Sequence, residues 1–243
     1  MKVLADYHTH SRYSRIYHAK HSIDQMAEHA KELGLSEIAI TDHGPKHLFF
    51  GISPKKLQKA KQDTTNASKK HGIKVYAGVE ANLIGQDGEI DLTNEQIANL
   101  DILLVGYHKG TRTNFVKYFD RKNRGTKDQI EKNTLAYVNA VNRYPIDIIT
   151  HLNEYIRVDT KRVAEACAKT GTILEFNSKH MKFSDEDIQI LLDSGVNFVV
   201  SSDAHKKQRI CDVESCLELI KKYNIPLERV KNIDQLLTLK NKK

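Results

Sequence analysis

Seven short apolar runs punctuate this chain, and nearly every one ends in a residue able to hold a metal ion. They are Val3 to His8, Glu37 to His43, Ile73 to Asn82, Asp101 to His108, Ile146 to His151, Thr172 to Asn177 and Asn197 to His205. Most are continuous in Val, Ile and Leu rather than alternating, as expected of strands buried on both faces of a parallel sheet. Amphipathic stretches separate them. Ser22 to Gly34 carries an N-cap serine and a terminating glycine. Pro54 to His71 is closed by Gly72, and further helical patterns cover Lys127 to Arg143, Ala164 to Lys169, Ser184 to Gly195 and Val213 to Tyr223. Strand alternating with helix over this length means an α/β fold, doubly wound or barrel. The insert Leu83 to Thr93, with Asp87-Gly88, reads as a turn or loop excursion.

The strand endings choose between the two architectures. His8 and His10 are two apart, so on a strand they share a face, with Asp6 behind them on that face. Asp203 and His205 repeat the spacing. Asp42-His43, Glu80, His108 and His151 end four other runs, and the sixth offers Glu175 and Asn177. An H-x-H pair alone decides little. In an open sheet such endings would spread along a line, whereas a closed barrel gathers them around one mouth, where catalytic groups belong. The pattern predicts the barrel. His29 and His71 fall within helices and read as surface or core residues. His21, His47 and His180 fall in loops near the mouth, where substrate contact is the stronger expectation than ligation.

Length and charge add boundaries. The 243 residues suit one domain spanning 1–243. No run approaches the roughly 20 apolar residues of a membrane span, and the chain enters a strand without a signal-peptide pattern, so a cytoplasmic protein with no membrane partner is expected. Cys167, Cys211 and Cys216 form no CxxC pair and read as reduced thiols. The net charge of +7 suits an anionic substrate. It is scattered, with part of it in a tail from Leu239 to Lys243 expected to be merely solvated. Tyr107, Tyr118, Tyr144 and Tyr155 are too dispersed for a nucleic-acid stacking surface.

The motifs DYHTHSRYS (Asp6 to Ser14), AITDHGP (Ala39 to Pro45), GVEANLIGQDGEID (Gly78 to Asp91), VGYH (Val105 to His108), IITH (Ile148 to His151) and SSDAH (Ser201 to His205) occur in one order. Together they resemble the PHP family, the polymerase and histidinol phosphatase family, and most of all its stand-alone bacterial phosphoesterases. The likeness runs from Asp6 to at least Asn232. It implies the PHP fold, a distorted (β/α)7 TIM-like barrel with up to three metals at its mouth. Carried over motif by motif, one metal takes His8, His10, Glu80 and Asp203. A second shares Glu80 and adds His108 and His151, and a third takes His18, His43 and His205. His18 matches the loop histidine of these relatives, with His21 its competitor. Relatives usually read His-Pro-Gly after the fifth strand. Here Leu152 and Asn153 follow His151, which predicts a freer turn carrying Asn153 and Glu154 into the mouth.

The implied activity is metal-dependent hydrolysis of a small phosphomonoester, histidinol phosphate among the candidates. Two metals about 3.5–4 Å apart can hold a hydroxide and the phosphoryl oxygens, with Glu80 shared between them. Glu80, Asp203 and His205 are the expected catalytic residues. Mixed histidine and carboxylate ligation suits Zn, Mn or Fe more than Mg or Ca. Asp6 and Asp42 are expected to orient imidazoles. Arg12, Lys20, Lys46, Lys109 and Lys179, with Arg15, Arg157 and Lys206, are the cations placed to meet the phosphate. The alternative is a nuclease or 3′-5′ exonuclease acting on phosphodiesters, which the charge favours and the missing stacking surface opposes.

Overall fold

The computed structural model describes residues 1–116 and 125–240. Tyr118 and the tail beyond Lys240 therefore lie outside the described residues. The elements follow in the order β1 (Ala5–Asp6), α1 (Ile23–Glu32), β2 (Glu37–Ile40), α2 (Pro54–His71), β3 (Lys74–Asn82), α3 (Asn94–Ala98), β4 (Ile102–Gly106), α4 (Lys127–Arg143), β5 (Ile148–Ile149), α5 (Thr160–Thr170), β6 (Ile173–Asn177), α6 (Asp185–Asp193), β7 (Phe198–Ser201) and α7 (Glu214–Lys222). The seven strands pair in parallel in sequence order, β1 through β7. Beyond the ladders, Thr9 bridges Ala204 in parallel and brings the first and last strands together at the mouth. The predicted α/β barrel is the observed fold.

The helix signals act where the sequence places them. Ser22 and Ser184 each close a capping box, and Gly72 ends α2 at φ 63°. α3 was not expected. Thr93 and Gln96 form its capping box, a short signal hidden behind the preceding excursion. α5 begins earlier than its apolar stripe because Asp159 caps it through the Arg162 amide.

Strand alternation decides what enters the barrel. Ile102 and Leu104 of β4 pack inside with Tyr7, Tyr76, Ile148, Ile173 and Val199, while Leu103 and Val105 pack outward against the helices. Continuing each inward phase by two residues carries Tyr76 to Glu80 and Asn82, Leu104 to His108, Ile173 to Glu175 and Asn177, and Val199 to Asp203. Gly106 is needed in that series, because a Cβ there would meet Thr150 Oγ1 at 2.3 Å and His151 Cε1 at 2.9 Å.

The seam between β1 and β7 is filled by a side chain. Asn232 Nδ2 donates to Ala5 O at 2.8 Å and Val200 O at 2.7 Å, and its Oδ1 accepts from Val200 N at 3.0 Å. A buried amide thus stands in for the ladder bonds a longer pair of strands would make. Asn232→Ala leaves several buried backbone groups unpaired, each costing about 1–3 kcal/mol. Thermal unfolding is expected to show a loss of about 3 kcal/mol, a Tm lower by about 10 °C.

The tail corrects one expectation. Through Lys240 it is a plug rather than a solvated end. Leu237 and Leu239 are buried in the interior cluster, Leu237 N donates to the Tyr7 hydroxyl at 3.2 Å, and Lys240 N donates to Asp147 Oδ1 at 2.8 Å. Above the plug, Tyr7 and Tyr76 both donate to Glu37, at 2.7 and 2.8 Å. The bottom of the barrel is thereby closed, and the mouth is left as the route to its polar interior.

Candidate metal centre

Glu80, at the end of β3, is the hub. Its Oε1 lies 3.0 Å from His108 Nε2 and 2.9 Å from His151 Nε2, and accepts from Thr150 Oγ1 at 2.8 Å. Its Oε2 lies 2.9 Å from His43 Nδ1 and 3.3 Å from His8 Nε2. His10 Nε2 reaches Asp203 Oδ1 at 3.2 Å and His8 Nε2 at 3.2 Å. On the outer side His18 Nε2 stands 3.2 Å from His43 Nε2 and 2.6 Å from His205 Nε2. All the residues expected as ligands from six strands and one loop are therefore brought together. His21 is not among them, since its Nδ1 accepts from Lys207 N at 3.2 Å.

The donor set fits metal ions. His10 Nδ1, His43 Nδ1, Glu80 Oε2, His108 Nε2 and Asp203 Oδ1 are buried without a hydrogen-bond partner, a costly arrangement unless something else satisfies them. Two nitrogens each bound to one tetrahedral ion would stand about 3.3 Å apart, close to the spacing of several pairs here. Three groups, His8–His10–Asp203, His43–Glu80–His108 and His10–His43–His205, each gather their donor atoms within 4.8 Å.

Hydrogen bonds on the far side of the rings aim them. His8 Nδ1 lies 2.7 Å from Glu175 Oε1, His108 Nδ1 2.9 Å from Asn82 Oδ1, and His205 Nδ1 2.8 Å from Asp203 O. Each acceptor holds the ring proton on Nδ1 and presents Nε2 as the free lone pair. Asp91 in turn accepts from Asn82 N at 2.7 Å and from its Nδ2. Asp6 and Asp42 do something else. Asp6 accepts from Ser202, from Cys211 N at 2.9 Å and from His8 N at 3.3 Å. Asp42 accepts from Ser11 N at 2.8 Å and from the Ser14 hydroxyl at 2.6 Å. Both hold loop groups rather than imidazoles, and for Asp6 the cause is that β1 ends there and its alternation breaks: Tyr7 and His8 both face inward. Glu175 and Asn82, the actual orienting residues, were legible only as members of the inward phase. Glu175→Gln keeps an acceptor but removes the charge, and should lower metal affinity about 10- to 100-fold, read by competition with a chelating indicator.

The electrostatics divide the imidazoles: at His8 and His151 burial is outweighed by Glu80 and Glu175, which raise the pKa, whereas His18, His205 and His108 are held in the neutral, ligating form. Burial first, then the charge of neighbouring histidines, pushes His18 down to about 3. Burial also pushes His205 and His108 down to about 4, against the pull of Asp203 and Glu80 respectively. For Glu80, burial opposes the charge, but His108 and His8 outweigh it and hold the carboxyl well below its usual range. The neutral imidazole and the charged carboxylate are the forms a metal binds. Burial raises all three thiols to about 12, which removes them as nucleophiles.

Two of the expected ligand positions have left-handed backbone, His151 at φ 30° and Asp203 at φ 49°, a strain of about 1–3 kcal/mol each of the kind that gathers at functional sites. The turn after His151 is not free. Leu152 is buried, Asn153 (φ 68°) accepts from Val158 N at 3.1 Å and donates to Thr160 Oγ1 at 3.0 Å, and His151 N donates to Glu175 Oε2 at 2.8 Å. Asn153 therefore ties the turn to the start of α5 and stays out of the mouth. Glu154 approaches it only through His180, whose Nδ1 is 3.4 Å away.

The ring opens into a cavity of about 430 Å³ lined also by His47, Phe50, Lys109, Tyr155, Lys179 and His180. Of the expected cations, Lys109 and Lys179 face it. Lys179 Nζ is 3.3 Å from His205 Nδ1, and Lys109 Nζ lies 4.9 Å from the Tyr155 ring centre. Lys46 is drawn away, with Nζ 3.8 Å from Glu89. Arg157 and Lys206 lie outside the lining, and Arg12, Arg15 and Lys20 line a separate hollow on the other side of their loop.

A parallel barrel with histidines and carboxylates converging at its C-terminal mouth has the donor set of a candidate metal centre. The PHP domain family model matches residues 6–183, and the chain belongs to the PHP family. It is 31% identical over 252 residues to a "probable phosphatase" of Thermoanaerobacter sp. (strain X514), covering 96% of this chain and 92% of that one. A "probable phosphatase" of Shewanella frigidimarina (strain NCIMB 400) is 30% identical over 246 residues, covering 96% and 90%. Among solved structures, the histidinol phosphate phosphatase of Lactococcus lactis subsp. lactis Il1403, complexed with Zn, L-histidinol and phosphate, superposes with a TM-score of 0.63. That match has 17% identity and covers 98% of this chain and 97% of that one. At that identity the likeness speaks for the fold alone. The expected phosphatase class agrees with the names the sequence relatives carry. Among the described residues no helix is long and apolar enough to cross a membrane.

Proposed function

We propose that this chain hydrolyses a small phosphomonoester at the barrel mouth, using up to three divalent ions. His8, His10, Glu80 and Asp203 would hold one, Glu80, His108 and His151 a second, and His18, His43 and His205 a third. The observation that carries this reading is the set of buried donor atoms without a hydrogen bond on His43, Glu80, His108 and Asp203, which line one cavity, with His10 buried beside them. Zn, Mn and Fe all suit that mixture of nitrogen and oxygen donors. When bound, the ions would neutralise phosphate charge and lower the pKa of a water from about 15.7 towards about 7.

The chain's own residues supply the rest. Lys109 and Lys179 reach the cavity from two loops and would meet the non-bridging phosphate oxygens. Phe50, Tyr155 and His180 form a wall for the leaving group, and the volume suits a small ester. Glu80 and Asp203, both buried, fix the centre's negative charge. Glu175 and Asn82 keep His8 and His108 from turning away.

The test is phosphate release from a panel of phosphomonoesters, histidinol phosphate included, with Zn or Mn added and His151→Ala run alongside. Release from at least one member, lost in the variant, is expected. No release from any member by a chain with metal demonstrably bound would overturn the reading, and cleavage of a phosphodiester instead would move it to the nuclease class.

A further inference from the structure

We propose that the loop between β1 and α1 carries a second anion subsite. The ester end of the substrate would enter the metal cavity, while a second phosphate on the same molecule seats in the basic hollow on the loop's other flank. The inference rests on the phosphomonoesterase reading and narrows it to substrates bearing two phosphate groups.

The hollow has a volume of about 540 Å³ and is walled by Arg12, Arg15, Lys20 and Lys56, with Tyr17 at its rim; no acidic residue lines it. Three arginines elsewhere are answered by acids: Arg143 by Asp87, Arg162 by Glu131 and Arg209 by Asp212. The four around the hollow make no ion pair among the described residues. Like charges facing one concavity repel each other and raise the local potential, which a bound anion relieves. A simple monoester gives them no task, since Lys109 and Lys179 already serve the metal cavity.

The loop joins the two spaces directly. His18 lines the metal cavity, and Tyr17, its neighbour in the chain, lines the hollow. Ile16 and Tyr17 are both left-handed, at φ 54° and 51°, and Tyr17 is 89% exposed, so the chain reverses there and Arg15 and Lys20 flank one space. Both ends of the turn are held. Arg15 N donates to Phe50 O at 3.2 Å, His18 N donates to Arg15 O at 3.2 Å, and the His18 ring stacks on Phe50 with centroids 3.8 Å apart. A ligand bridging the loop would therefore meet a metal-side ring held by Phe50 and, across a turn whose backbone is held at Arg15, two exposed cations free to close on a phosphate.

Calorimetric titration of the Zn-loaded full chain with non-hydrolysable probes tests this. An alkylphosphonate is compared with α,ω-alkyl-bisphosphonates of several spacer lengths, on the wild type and on the Arg15→Ala/Lys20→Ala double variant. These two side chains make no hydrogen bond of their own, whereas Lys56 Nζ donates to Tyr13 O and is left in place. At one spacer length the wild type is expected to bind the bisphosphonate about tenfold more tightly, with an advantage that shrinks as salt rises and disappears in the double variant. Equal binding of both probes by the wild type, or an advantage the double variant keeps, overturns the subsite. A chain that releases no phosphate yet prefers the bisphosphonate loses the phosphatase reading and keeps the subsite. One that releases phosphate without that preference does the reverse.

Discussion

Glu80→Gln is expected to lower kcat/KM by about a thousandfold or more while the barrel stays folded. Glutamine matches glutamate in shape and can still accept from Thr150 Oγ1. It cannot supply the negative charge that faces His8, His43, His108 and His151 at 2.9–3.3 Å, and it turns an amide donor towards at least one of those rings. Charge stabilisation worth several kcal/mol is lost with it, and each 1.36 kcal/mol is about tenfold in rate. Steady-state kinetics with circular dichroism on the same sample separates lost chemistry from lost fold. Activity within about tenfold of the wild type would remove Glu80 from the centre of the mechanism.

Chelation is expected to have the second largest effect. Stripping divalent ions with EDTA should lower the Tm by about 10 °C, and Zn or Mn should restore it. A ligand present at about a thousand times its Kd stabilises the folded state by about 4.1 kcal/mol, and a chain of this size shifts by about 2–4 °C per kcal/mol. The direction follows from the site. Glu80 and Asp203 are buried carboxylates among close-set imidazoles, several of them without a hydrogen-bond partner, so the centre without ions is a crowded set of unmet donors. An unchanged Tm after chelation would mean that the donors are satisfied without metal.

The contrast between legible and illegible residues follows the strand period. Glu80, His108 and Asp203 continue the inward phases of β3, β4 and β7, so a two-residue rule reaches them from Tyr76, Leu104 and Val199. Asn82 and Glu175 obey the same rule. Their roles became visible only once His108 and His8 were placed beside them, because an orienting residue is defined by its partner. His8 and His151 break the period. At His151 the backbone turns left-handed, held by Glu175, 24 residues on, and by a loop that Asn153 pins to the start of α5, contacts that no strand period specifies. Asp6 was misread for a related reason, since the strand stops at that residue and its face no longer predicts its partners.

The loop cations were the least legible. Arg12, Lys20, Lys46 and Lys109 all follow strand ends, yet only Lys109 reaches the metal cavity. Lys46 is captured by Glu89, and Arg12 and Lys20 are carried to the other flank by the reversal at Ile16 and Tyr17. No period governs a loop, and a charged side chain is tolerated on almost any exposed path. The tail was hidden differently. Leu237 meets Tyr7 across 230 residues of sequence, and nothing local distinguishes it or Leu239 from apolar residues in a solvated end.

The claim on which the rest depends is that the ring at the mouth is a metal centre. Its most direct test is the number of divalent ions retained per folded chain, measured by elemental mass spectrometry after metal loading and gel filtration, for the wild type beside Glu80→Gln. The wild type should retain more than one ion per chain, and the variant fewer. A folded wild type that retains none, with every ring residue intact, would contradict the account.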